Sequence, residues 1–250
     1  MRQYFIELLT KKDLDGETFA PSFVEAWFNG NPKLMPERFS HGEPVRYSIE
    51  DEGGVAAIVN SWQESMLMFK RVSEPKFTMD TAWTRTRKLD PRPYLGEVAV
   101  WLSMKAKDHL AIEFFEFLVE WFEPEFGFAT TWDDRQSKHR LTYPNFREDG
   151  TYLGVVESSV GSDFLEGIPG IYWITYMTSE VIDAERIEAL DDKIVKRDKR
   201  GGYFIKAYDN SSVIGTENGL AAERAITNVL GAEKFFNPTA WLKAQQLKTK

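Results

Sequence analysis

The sequence contains no cysteine. That excludes disulfides, thiolate metal ligands and thiol nucleophiles. Histidine is scarce as well: His41, His109 and His139 are all there are in 250 residues. No two of them fall at the His-x-x-x-His or His-Glu-x-x-His spacing that sets two imidazoles on one helix face. A G-x-S-x-G elbow for a nucleophilic serine is missing, as is a G-x-x-x-x-G-K phosphate loop. No window approaches the ~18 continuous apolar residues that a membrane span needs. The opening stretch MRQYFIELLT has a short apolar part carrying Glu7 and no small-residue cleavage pattern. It reads as a first strand, not a signal peptide. The expectation is a soluble cytoplasmic protein without membrane contact.

Positive charge is also in deficit. Lys and Arg number 31 against 39 Asp and Glu, for a formal net charge of −8. A chain of this sign repels nucleic acid and anionic lipid at long range and attracts basic partners. Direct nucleic-acid binding is therefore not expected. What the chain has in quantity is aromatic area, with 8 Trp, 9 Tyr and 18 Phe within a hydrophobic content of 42%. That is enough for one large domain or two small ones.

Periodicity predicts strands over Tyr4–Leu9, Met66–Val72, Lys76–Trp83, Tyr94–Met104, Phe126–Trp132, Tyr152–Val160 and Ile171–Met177, with two short strands flanking KRDKRGG. Helices are predicted over Phe19–Phe28, Val55–Glu64, His109–Phe122, Ser179–Leu190 and Thr216–Leu230. Thr216 is placed to accept from the first amides of the last of these, and Gly231 to end it. The basic stretch 84–93, with Arg85, Arg87, Lys88 and Arg92, reads as a loop and a short candidate anion patch. Gly53-Gly54 before a helix offers free amides to an anion, but Glu50, Asp51 and Glu52 precede them and repel it. From Asp133 to about Gly150 the chain reads as a polar connection with at most a helical turn.

Irregular alternation of strands and helices, with some strands adjacent, gives an α+β fold: a mixed, largely antiparallel sheet with helices packed on it. We expect a single domain over residues 1–250. Strand–helix–strand content on both sides of residue 146 permits two related halves, 1–146 and 147–250, and Tyr94-Leu95-Gly96 is echoed by Tyr152-Leu153-Gly154.

The stretch GIPGIYWITYM, Gly167–Met177, turns and then runs into bulky residues at successive positions. Pro169 lacks an amide proton and the glycines tolerate unusual backbone angles, so the chain must turn there. Large residues on both faces predict a strand covered from both sides, central in its sheet. The glycines lack a phosphate-cradle spacing and read as turn residues leading into a core strand. Pro169, Gly170, Ile171, Tyr172 and Trp173 together resemble a group of bacterial α+β proteins whose relatives include immunity proteins of polymorphic-toxin and type VI secretion systems. The acidic helix followed by EFGF, over Glu113–Phe128, adds a looser similarity. The resemblance implies a cytoplasmic immunity protein that binds and neutralises a cognate toxin by occluding its active or substrate surface. It implies no catalytic residue, and the motif marks the core and not the function.

Two charged constellations remain. On a helix at 100° per residue, His109, Glu113, Glu116, Glu120 and Glu123 fall within an arc of about 80°. Glu113, Glu116 and Glu120 stand at i, i+3 and i+7 with no Lys or Arg between them on that face, which costs a few tenths of a kcal/mol per pair. The stripe reads either as a solvated outer face or as a ridge that steers a basic partner, for example a nuclease toxin, into register. Asp133 and Asp134, followed by Arg135, Lys138, His139 and Arg140, form the second concentration. They read as a turn or helix cap that joins the contact surface, and alternatively as a metal-dependent hydrolase site using Asp133, Asp134 and His139. The expected partner-binding set is thus Glu113, Glu116, Glu120, Glu123, Asp133 and Asp134, in a protein that is not an enzyme and takes no cofactor or metal.

Overall fold

Strand β1 (Arg2–Thr10) sets the architecture, because its apolar residues occupy both of its faces. Tyr4, Ile6 and Leu8 enter one core, and Phe5 and Leu9 enter another. A strand buried on both faces sits inside its sheet. The sheet has ten strands, in the order β11 (Val195–Arg197), β12 (Tyr203–Lys206), β10 (Ile174–Met177), β7 (Phe126–Thr130), β1, β6 (Glu97–Ala106), β5 (Lys76–Ala82), β4 (Met66–Arg71), β2 (Arg38–Ser40) and β3 (Tyr47–Ser48). Every paired neighbour in it is antiparallel. The computed structural model describes residues 1–14, 18–62, 66–82, 97–147, 149–159 and 167–248. The basic loop with Arg85, Arg87, Lys88 and Arg92, the Tyr94-Leu95-Gly96 half of the echo, and Val160 lie outside them.

Three helices cover the first face: α1 (Phe19–Gly30), α2 (Val55–Ser61) and α3 (Asp108–Phe122). In α1 the buried residues Phe19, Ala20, Phe23, Val24 and Trp27 follow the i, i+4 spacing that makes one apolar stripe. Trp27 is fully enclosed and its indole N–H donates to the Leu34 carbonyl at 2.9 Å. In α3 the stripe is Ala111, Phe114, Phe115, Leu118, Val119 and Phe122. The second face carries α4 (Trp132–His139), α5 (Ala184–Glu188), α6 (Glu217–Leu230) and the irregular segment 167–173. Thr216 accepts from the Gly219 amide at 3.2 Å at the start of α6, and Gly231 follows its end with φ +98°. A separate hairpin, β8 (Arg140–Phe146) with β9 (Tyr152–Ser159), stands beside α7 (Pro238–Lys248), where the Tyr143 and Trp241 rings meet edge to face at 5.5 Å.

The α+β class with a large antiparallel sheet is as expected, and the main sheet takes strands from both sides of residue 146. Four local expectations are corrected. Residues 132–139 form a helix and 140–146 a strand where a polar connection is expected. Hydrophobic periodicity is blind to both, since the buried residues of α4 are Asp134, Arg135 and His139. The helix expected over Ser179–Leu190 is confined to Ala184–Glu188, because Val181 and Ile182 are taken up by a turn closed on the Thr178 carbonyl. The ladder of β10 begins at Ile174, not Ile171, since the Tyr172 amide donates to the Thr175 hydroxyl at 3.0 Å and not to a neighbouring strand.

The motif Gly167–Trp173 is a linchpin of the core. Gly167 has φ +116°, and a Cβ there would lie 2.8 Å from the Phe236 nitrogen, so only glycine lets this turn lie against residues 234–236. Ile168 bridges Phe235. Tyr172 stacks on Phe128 with ring centroids 3.9 Å apart, and Trp173 stacks on Tyr4 at 5.2 Å. Adjacent aromatic residues thus serve opposite cores: Tyr172 packs in the second and Trp173 in the first. The segment has strand-like composition because it is buried on both sides, and it reaches that burial outside the strands of the main sheet, with a single isolated parallel bridge from Ile168 to Phe235.

Candidate functional site

The acidic stripe lies along the solvent side of α3, but it does not stand alone. The β11–β12 hairpin brings a basic loop, Lys196 to Arg200, against its C-terminal half. Lys196 Nζ lies 3.0 Å from Glu116, and Arg200 lies 3.4 Å from Glu123 while donating to the Glu120 and Val119 carbonyls at 2.6 and 2.8 Å. Lys12 adds a second cation to Glu123 at 2.6 Å. The cations missing from the helix sequence are supplied by distant segments. Glu113 and Glu120 have no ion-pair partner among the described residues and are exposed. His109 also sits on the exposed side.

Between α3 and the hairpin runs a groove of about 730 Å³. Glu116, Glu120 and Glu123 form one wall, and Lys196, Lys199 and Arg200 the other. Val119, Trp121 and Phe204 supply its apolar surface. Its ion pairs are largely exposed. Pairs of this kind contribute about 0–1 kcal/mol each, so a partner can exchange its own charges for them at little cost.

Helix α4 is a different kind of site. Thr131 caps it, accepting from the Asp134 amide at 3.4 Å. Asp133 and Asp134 sit in its positive first turn and Lys138 and His139 in its last, which matches the helix dipole. Asp133 is exposed. Asp134 is buried, accepting from the Thr130 hydroxyl at 2.6 Å and from Lys138 at 2.9 Å. Lys138 continues to Glu223 on α6 at 2.9 Å, and the Tyr208 hydroxyl donates to the same carboxylate at 2.9 Å. Burial pushes the Glu223 carboxyl above its ordinary value, and Lys138 opposes that shift. His139 Nε2 meets the Tyr172 hydroxyl at 2.7 Å. Burial, then the nearby Glu7 and Asp134 charges, holds that phenol well above its usual range.

Arg135 points back into the sheet and pairs with Glu7 of β1, Nε to Oε2 at 2.9 Å. Both side chains are buried. The guanidinium also lies over three rings, Phe5 at 5.1 Å, Trp101 at 5.0 Å and Trp132 at 5.5 Å. Burial raises the Glu7 carboxyl above its ordinary value while Arg135 pulls it down, and Glu7 Oε1 makes no hydrogen bond of ordinary geometry. Sequence reasoning misses this pair, because a lone glutamate in a strand reads as a solvent-facing position.

The six expected contact carboxylates therefore separate. Glu113, Glu116, Glu120 and Glu123 lie on the α3 layer, whereas Asp133 and Asp134 belong to α4 on the opposite side of the sheet. Only Asp133 of that adjacent pair is presented at the surface. Nor do Asp133, Asp134 and His139 converge: one faces solvent, one is held by Thr130 and Lys138, and one by Tyr172. Among the described residues no cluster of three or more His, Asp or Glu is placed to hold a metal ion, and no helix is long and apolar enough to cross a membrane.

No protein-family model matches the sequence, and no curated protein matches it either. Among solved structures, the fold is similar to that of the Pseudomonas aeruginosa T6SS protein PA0821, with 13% identity and a TM-score of 0.55. The likeness covers 94% of this chain and 73% of that one. At that identity it is a likeness of fold.

Proposed function

We propose that this chain is an immunity-type protein in a type VI secretion setting, which neutralises a cognate toxin by binding it and covering its active or substrate surface. The similarity of fold to a T6SS protein over nearly the whole chain supports the setting. The observation that carries the binding reading is the groove between α3 and the β11–β12 hairpin, where the exposed Glu120 and the exchangeable pairs of Glu116 and Glu123 flank the half-buried Trp121. Interfaces gain most of their affinity from a few aromatic and arginine anchors ringed by polar groups, and Trp121 and Arg200 are such residues. Glu113 extends the acidic edge one turn further. A basic toxin, such as a nuclease, would be steered by that edge and would bury roughly 1,200–2,000 Å² in total, as stable complexes of this kind do.

Asp134 drops out of the contact surface because it is buried, and Asp133 lies on the other side of the sheet. The hydrolase reading of Asp133, Asp134 and His139 is favoured by none of their contacts. The experiment is co-expression with a candidate toxin, a toxin-domain protein found encoded next to this chain's gene. Cells producing both should grow, and cells producing the toxin with the Glu113→Lys/Glu120→Lys variant should be impaired. Failure of the unaltered chain to rescue growth would sink the immunity reading. Full rescue by the variant would leave immunity standing and remove the groove as its surface.

A further inference from the structure

The outward side of the sheet at the β4–β5–β6 end holds a pocket of about 370 Å³ lined by Gln3, Lys70, Arg71, Lys76, Thr78, Ser103 and Lys105, with Val72 and Phe77 at its apolar part. Four cations line it and no carboxylate does. In a chain of net charge −8, some surface lysines are answered by acids, Lys11 by Glu180, Lys12 by Glu123, Lys196 by Glu116 and Lys206 by Asp209, while others, such as Lys33, Lys107, Lys193 and Lys199, make no ion pair among the described residues but stand outside this pocket. Lys70, Lys76 and Lys105 have no such pair among the described residues. Arg71 is partly answered by Glu37 at 3.7 Å and donates to the Met35 carbonyl at 2.8 Å, yet its Nε is buried without a partner.

The register makes the arrangement unfavourable on its own. Lys76 sits directly opposite Lys105, and Arg38 directly opposite Lys70. Like charges at directly opposed positions of neighbouring strands destabilise a sheet. An anion held over Lys70, Lys76 and Lys105 would relieve the repulsion in both pairs, although Arg38 itself does not line the pocket. Neutral donors fill the gaps: Thr78 and Ser103 face each other, and the Gln3 amide donates to the Ser103 hydroxyl at 2.5 Å. Lysine ammoniums, hydroxyls and an amide are a donor set for tetrahedral oxyanions. The volume lies at the lower end of the ~300–1,000 Å³ range of small-molecule sites.

We propose that this pocket binds a small phosphorylated molecule carrying at least two negative charges, held by Lys70, Lys76 and Lys105 with Thr78, Ser103 and Gln3. Three unanswered cations exceed what a single carboxylate or chloride balances, and they match a diphosphate or a phosphate ester with a second acid. The site is on the opposite side of the sheet from the α3 groove, so it is independent of the toxin-binding reading.

The test uses the full chain and pyrophosphate as the probe. Titration calorimetry and thermal denaturation compare pyrophosphate with sodium chloride of equal ionic strength. Pyrophosphate should bind saturably with a stoichiometry of one and raise Tm, while chloride should not. In an NMR titration the Gln3 side-chain amide and the Ser103 and Thr78 backbone amides should shift. The Lys76→Gln/Lys105→Gln variant should fold at least as stably as the unaltered chain without the anion, since the repulsion is gone. It should bind pyrophosphate about tenfold more weakly or worse, because each charge-assisted hydrogen bond is worth about a decade or more in affinity. Equal responses to pyrophosphate and chloride, unchanged affinity in the variant, shifts mapping elsewhere, or binding of a polyglutamate peptide but not of pyrophosphate would each overturn the proposal.

Discussion

Replacing Arg135 by Met should be the most damaging single change to this protein outside its apolar core, and the damage should grow with pH. Met preserves the length and apolar stem of the side chain but leaves Glu7 buried in the middle of β1, its Oε2 deprived of the 2.9 Å contact with Nε and its Oε1 already without a hydrogen bond of ordinary geometry. Breaking a buried ion pair by removing one partner costs about 3–5 kcal/mol, because the other charge remains uncompensated. The lost contacts with Phe5, Trp101 and Trp132 are part of that cost. For a chain of this size 1 kcal/mol corresponds to roughly 2–4 °C, so Tm should fall by about 6–20 °C. The pH dependence follows from Glu7, whose carboxyl is raised above its ordinary 4.5 in the folded state. A raised carboxyl binds a proton more readily when folded than when unfolded. Its contribution is therefore fully favourable below the unfolded value and is lost as pH rises through the folded value. Without Arg135 the main opposition to burial is gone and only the smaller influence of Trp101 remains, so the folded value climbs further and more stability is lost at neutral pH. Urea denaturation at pH 5 and pH 8 should show a gap between variant and parent that is wider at pH 8. Adding Glu7→Gln should recover most of it. A loss under about 1 kcal/mol, below the range for buried pairs, or a gap independent of pH, would refute this account of the pair.

Gly167→Ala should cost about 2 kcal/mol or more, from a positive φ unsuited to alanine and from a Cβ 2.8 Å from the Phe236 backbone; chemical denaturation measures it, and a near-neutral result would mean that the turn relaxes. Tyr172→Phe leaves the stack on Phe128 intact but removes the hydroxyl at His139, and should cost about 1–3 kcal/mol by the same measurement. Glu116→Gln and Glu123→Gln, which break exposed pairs with Lys196, Lys12 and Arg200, should each change stability by less than about 1 kcal/mol, and a larger loss would show that the hairpin depends on the helix for its fold.

How far the sequence discloses this molecule depends on what each residue is buried against. The helices α1 and α3 and the strands β4 and β5 are legible because their apolar residues recur at the helical or the alternating period, as in Phe19, Phe23 and Trp27, or in Phe77 and Met79. Helix α4 is hidden because it is buried through charge: Arg135 on Glu7, Lys138 between Asp134 and Glu223, His139 on Tyr172. Its termini were nevertheless written in the chain, as Thr131 followed by two aspartates, then Lys138 and His139. The α3 stripe is legible as geometry but not as electrostatics, since Lys12, Lys196 and Arg200 reach it from tens of residues away. The pocket at Lys76 and Lys105 needs strand register, which no local pattern supplies.

The central claim is that the α3 groove is where a toxin is met. It is tested most directly by the affinity of the purified chain for a candidate toxin, a toxin-domain protein found encoded next to its gene, measured at low and at physiological salt with and without Glu113→Lys/Glu120→Lys. The account predicts tight binding that weakens with salt, and a variant that binds at least tenfold more weakly at low salt, by about 1.4 kcal/mol or more, with unchanged thermal stability. Equal affinity of variant and parent at low salt would contradict it.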